Sequence, residues 1–164
     1  MANVSSSRWV KRVVLFTTVA TLTSVLTGCS SSHGLEPLAA RDRVEAADGV
    51  RNATVTTGTD QQTLKTTHFV DVRLQLDGTS SPAQLSRLID YAIQVGWATD
   101  IGHSPTDVQV SVSSPAAVDT LAIVKRLGLE ATPASTDHSS ALIGAQTLEA
   151  KWGRWPGPIP RSLK

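Results

Sequence analysis

Between His68 and Leu76 the chain gives its cleanest strand signal, alternating from Val70 onward. Val70, Val72, Leu74 and Leu76 are apolar, and Asp71, Arg73 and Gln75 between them are polar. Successive strand side chains point to opposite faces, so a period of two describes a strand with one face buried and the other in water. A helix cannot use such a pattern, because its apolar positions recur every three or four residues. The fold must therefore contain a sheet whose apolar face needs a covering layer.

The same reading extends along the chain. Val50 to Thr57 is rich in β-branched residues, with Ala53 and Val55 on one face, and Gly58-Thr59-Asp60-Gln61-Gln62 reads as the turn into the next strand. The two strands predict an antiparallel hairpin. Asp107 to Ser113 repeats the alternation, with Val108, Val110 and Val112 inward.

Three segments read as helices. Pro37 suits the first helical position, Ala40, Val44 and Ala47 recur at helical spacing, and Gly49 would cap a helix ending near Asp48. Ser81-Pro82 opens a second helix, with Leu85, Leu88, Ile89 and Ala92 as its core stripe, Gly96 as its end and Trp97 just beyond. Ser114-Pro115 opens a third, with Val118, Leu121, Ala122 and Lys125 along its stripe, Val124 and Leu127 at the margin, and Gly128 as its cap. Thr132 to Ser140 reads as a polar loop. Residues 141–152 fit a strand or a helix about equally. Gly153 to Pro160 holds three prolines and cannot be regular. The order α-β-β-α-β-α-(β) predicts an α+β fold, a two-layer α/β sandwich with a ferredoxin-like or BON-like sheet.

The N-terminus is of another kind. Arg8, Lys11 and Arg12 precede an apolar run from Val13 to Leu26, and no acidic residue occurs before Cys29. A basic flank, an apolar core and a small-residue end make a secretory signal peptide, too short for a spanning helix of roughly 20 residues. Its last four residues, Leu26-Thr27-Gly28-Cys29, resemble the lipobox of bacterial lipoproteins. The resemblance implies cleavage between Gly28 and Cys29 and a diacylglycerol thioether on the Cys29 sulfur. It also implies an exported mature chain on the cell membrane, anchored through its acyl chains and facing the extracytoplasmic side. The expected organisation is a signal over 1–28, a lipidated Cys and tether over 29–35, one domain over 36–152 and a Pro-rich tail over 153–164.

The stretch from about Leu38 to Val112 also resembles small αββαβ modules. One is the BON domain of bacterial envelope proteins. Another is the heavy-metal-associated domain, whose helix-to-strand junction is echoed by Ala46-Ala47-Asp48-Gly49-Val50. The paired cysteines of the metal domain are absent, so the resemblance does not carry its metal.

Composition removes several functions. Cys29 is the only cysteine, which excludes an internal disulfide and a cysteine-ligated zinc site. The formal charge of +1 belongs to the uncleaved chain, because the signal takes three bases and no acid. The mature chain is slightly acidic, with neither a basic footprint for nucleic acid nor a polybasic patch for anionic lipid. No Gly-x-Ser-x-Gly, glycine-rich phosphate loop or His-Glu-x-x-His occurs. No catalytic residue and no cofactor is expected.

A few residues remain as candidates. Asp100, His103 and Asp107 share one loop and have ligand chemistry, but solvated loop polars are the simpler account, and no metal is expected. His68 and Asp71, three apart on a strand, point to opposite faces and cannot cooperate. Phe69 falls on the polar side of its strand, as a contact surface or beneath the C-terminal segment. Trp152 and Trp155 flank Arg154 in the Pro-rich tail, and Trp and Arg are enriched at binding hot spots. They mark a partner contact, or a tail that folds back. The expected function is a non-enzymatic binding or assembly module that meets an envelope protein or wall component, with a small enzyme or ligand carrier as the alternative.

Overall fold

The computed structural model describes residues 34–63, 65–78 and 80–164. The segment 1–28, expected as a signal peptide, and Cys29 lie outside the described residues. The elements are α1 (Pro37–Glu45), β1 (Val50–Gln62), β2 (Lys65–Leu76), α2 (Pro82–Trp97), β3 (Asp107–Ser113), α3 (Thr120–Arg126), β4 (Thr132–Pro133), β5 (Ser140–Gly144) and α4 (Ala145–Trp152). The strands form one sheet in the order β1-β2-β3-β5-β4. β2 and β3 are parallel, joined by α2, and every other neighbouring pair is antiparallel. This is the expected two-layer sandwich of mixed α and β structure.

Register assigns the faces. Ala53, Val55 and Thr57 of β1 lie opposite Leu74, Val72 and Val70 of β2. Val70, Val72 and Leu74 in turn lie beside Val108, Val110 and Val112 of β3, and Val108 and Val110 face Ile143 and Ala141 of β5. Most of these side chains are buried, and they form one cluster with Ala40 and Val44 of α1, Leu88, Ile89 and Ile93 of α2, Leu121 and Val124 of α3 and Leu148 of α4. Each fully buried aliphatic side chain contributes about 1.5–3 kcal/mol relative to exposure.

All four described helices cover this one face. α2 lies across β2 and β3, with Gly96 against Val70, Val72 and Val108. The Tyr91 hydroxyl on α2 donates to the Arg43 carbonyl of α1 at 3.3 Å, and Lys151 on α4 donates to Asp90 of α2 at 3.1 Å and to the carbonyl of Leu127, at the end of α3, at 3.0 Å. No described element covers the opposite face.

Several boundaries differ from the sequence expectation, each for a local reason. α1 stops at Glu45 rather than near Asp48, and a turn carries the chain to Gly49, whose φ of +88° suits glycine. The segment Gly58 to Gln62 is strand rather than turn. Gly58 pairs with Phe69, and a Cβ on Gly58 would fall 2.5 Å from the Phe69 ring. The ring thus fills the place of the missing side chain and the ladder continues to Gln62. Gly96 does not end α2, which runs on through Trp97 to a cap at Ala98. A Cβ on Gly96 would meet Val108 at 2.8 Å and Val72 at 3.1 Å, so this glycine serves the close approach of helix and sheet. α3 begins at Thr120, not beside Pro115. Asp119 caps it, accepting from the Ala122 N–H at 2.8 Å, while Ser114 turns back to the Gly78 carbonyl. Its buried side is Leu121, Ile123 and Val124, and Lys125 is exposed. The ambiguous stretch 141–152 is both kinds of element, divided at Gly144, which N-caps α4.

Gly96→Val should destabilise the domain by about 1–3 kcal/mol in urea unfolding, because the helix–sheet contact is already filled. Gly78→Ala is the control, since nothing lies within 4 Å of the added methyl. Equal unfolding midpoints for the two variants would contradict the packing described.

Candidate binding face

The uncovered face of the sheet is built from the other half of each alternation. Thr54, Thr56 and Gly58 come from β1, Phe69, Asp71, Arg73 and Gln75 from β2, Asp107, Gln109 and Ser111 from β3, and Ser140 and Leu142 from β5. Phe69, Gln109 and Leu142 are only partly exposed. Phe69 rests on Gly58 within this face and not beneath the C-terminal segment.

Asp71 sits in the middle of the face, with Thr56 opposite on β1 and Gln109 beside it on β3. Its side chain is 7% exposed. Oδ2 accepts from Arg73 at 2.7 and 2.8 Å, and the other carboxylate oxygen, Oδ1, has no hydrogen-bond partner. An acceptor buried without a donor is costly, of order 1–3 kcal/mol, and a donor brought to the face would relieve that cost. Arg73 extends into solvent with 66% of its side chain exposed and offers a cation beside the acid.

An open cleft of about 690 Å³ borders this face where β3, β4 and β5 meet the start of α4, with Asp107, Glu130, Thr132, Leu142 and Gln146 in its wall. Partial burial pushes the Asp107 carboxyl above the ordinary carboxylate range, and attraction to Lys65 offsets this in part.

The structure separates the three loop candidates. Asp100 accepts from the Gly102 N–H at 2.8 Å and shapes its own turn. His103 leaves the loop to meet His68, its Nε2 at 2.7 Å from His68 Nδ1, and the Thr59 hydroxyl lies 3.0 Å from the same nitrogen. Asp107 stands on the open face opposite Gly144. Among the described residues no three His, Cys, Asp or Glu side chains gather where one metal ion could bind them. The His68–His103 contact is not legible in sequence, because the partners are 35 residues apart and meet only once β2 and β3 align through the crossover. His68 and Asp71 do lie on opposite faces, as their spacing requires.

The C-terminal tail runs on the helix side. Trp97 is 1% exposed, and its indole N–H donates to the Gly153 carbonyl at 3.0 Å. Trp155 donates to the Thr99 carbonyl at 3.1 Å, the Gly157 N–H donates to the Trp97 carbonyl at 3.2 Å, and Arg43 of α1 donates to the Pro160 carbonyl at 3.0 Å. Trp152 is half-buried, with the Lys151 ammonium 4.8 Å from its ring centroid. The two tryptophans singled out in the sequence are thus packed against the domain's own core. Comparison with known proteins finds no family model, no curated protein and no solved structure that the chain matches.

A carboxyl whose native pKa is raised binds its proton more tightly in the folded state. Its favourable contribution is complete below the unfolded pKa and is lost as pH rises through the native one. Asp107→Asn should therefore raise the unfolding midpoint at pH 7, and the gain should shrink as pH falls toward 3. A gain that grows on acidification would contradict the burial assigned to Asp107.

Proposed function

We propose that this chain is a lipid-anchored protein of the cell envelope that works by binding, and that the uncovered sheet face is its recognition surface. The observation that carries the reading is the one-sided sandwich. Every described helix lies on one side of the sheet, and the other side holds a buried acid with an unpartnered oxygen beside an exposed arginine. Phe69 and Leu142 supply apolar footholds, Asp71 accepts a hydrogen bond, and Arg73 meets an acceptor. Such a face suits a hydrogen-bonding segment of an envelope protein or a wall component. The anchor rests on the lipobox resemblance at Leu26-Thr27-Gly28-Cys29.

A second reading, a ligand carrier or small enzyme, draws on the cleft at Asp107. That cleft brings Asp107 and Glu130 to one hollow, where the carboxyl with the raised pKa could hold a proton for a bound group.

Two experiments test the proposal. Mass spectrometry of the mature N-terminus should find Cys29 carrying lipid, and Cys29→Ser should abolish it; an unmodified Cys29 would sink the anchor. A photo-crosslinking residue at Gln75, on the open face, should capture an envelope component in native membranes, whereas the same residue at Arg87 on α2 should not. Arg73→Glu should reduce capture at Gln75. Equal capture from both sites would remove the open face as the recognition surface.

A further inference from the structure

The two edges of the sheet are built differently. One ends in β4, two residues long and carrying Pro133, which cannot donate to another strand. The other is β1, thirteen residues long, with no described strand on its outer side. Its central run, Asn52-Ala53-Thr54-Val55-Thr56-Thr57-Gly58-Thr59, holds no charge and no proline, and five of its residues are β-branched. A long, uncharged edge of high β propensity pairs readily with another chain, and proteins ordinarily blunt such edges with lysine, proline or bulges. Here the only irregularity is the register shift between Val50 and Asn52, at one end.

We propose that the outer edge of β1 pairs with β1 of a second copy of this chain. The strands run antiparallel about a two-fold axis normal to the sheet, and the two sheets become one. Such an interface is isologous and closes on itself. Centred on Thr56, the pairing sets Thr56 against Thr56 of the second copy, Thr54 against Gly58 and Asn52 against Asp60 on the open face. On the helix face it sets Val55 against Thr57 and Ala53 against Thr59. No like charges meet, and an amide donor faces a carboxylate at each end. A second copy suits this edge because the same thirteen-residue strand then supplies both sides of the ladder, equal in length, with Asn52 set against Asp60 at each end. A separate feature marks the same flank. Leu38, 63% exposed, lies on α1, the helix that packs over β1.

The inference goes beyond the binding role proposed above and stands without the anchor. With the anchor, it sets an orientation. The axis exchanges the strand ends, so two short tethers reach one bilayer only when the sheet lies flat on it. Gly34 packs against Ala98, just past α2, and against Pro156 of the tail, both on the helix side. The helix layer then faces the lipid and the open faces point away from it.

The test uses the full chain in its own membrane with Thr56→Cys. Directly opposed Cβ atoms in an antiparallel pair lie about 4.5–5.5 Å apart, close to the reach of a disulfide. Oxidation should give a species of twice the mass that wild type and Arg87→Cys do not give. In detergent, Thr56→Lys should halve the mass seen by light scattering and leave the circular dichroism spectrum unchanged. Absence of the cross-link both through Thr56→Cys and between copies carrying Val55→Cys and Thr57→Cys would overturn the proposal, as would equal cross-linking through Arg87→Cys. A wild-type dimer joined through Cys29 would instead refute lipidation, and the series repeated with Cys29→Ser would still decide the edge.

Discussion

The contact between α2 and the parallel pair β2–β3 sets the arrangement of everything else. A parallel pair needs a crossover, and the crossover helix must pack on the sheet it has just left. Gly96 lets α2 come so close that Val72 and Val108 touch its backbone side. Once α2 occupies that face, α1, α3 and α4 reach the core only by joining the same layer. They do so through Tyr91, Leu121, Lys151 and Leu148. The polar half of the alternation is then left without a cover.

The end of α2 also gathers the chain entering α1 and the C-terminal tail. Leu35 bridges to Thr99, and its N–H donates to the Ala98 carbonyl at 2.7 Å. The tail crosses the same point through Trp155, Pro156 and Gly157, with Gly157 lying against the Trp97 ring. A buried indole needs a partner for its N–H. Trp97 finds one in the tail, so the Pro-rich segment completes the core. This is why a stretch with the composition of a ligand motif serves as structure.

A sheet bare on one side and long on one edge presents two surfaces of different chemistry. The face offers isolated polar groups, with Asp71 short of one donor, and suits a partner that supplies particular hydrogen bonds. The edge offers unpaired backbone over a run without charge, and suits a strand of matching length. The two are compatible, since a strand added at the edge extends the face without covering it.

Alternation and capping carried much of the fold into the sequence. Val70 to Leu76 and Val108 to Val112 are legible because burial on one side imposes a period of two, and Ser81-Pro82 because a helix start needs an acceptor and tolerates a missing N–H. The sequence by itself determined the sandwich, the inward faces of β1, β2 and β3 and the opposite placement of His68 and Asp71. It did not determine what glycine was for at Gly58 and Gly96, because each answers to a neighbour distant in sequence, Phe69 in one case and Val108 in the other. Nor did it determine that His103 meets His68, that the tail docks on Trp97, or that all four described helices share one side. Those facts follow from which elements approach one another in space. Local sequence encodes the period of burial, whereas the partner that supplies the burial is chosen only when the chain closes on itself.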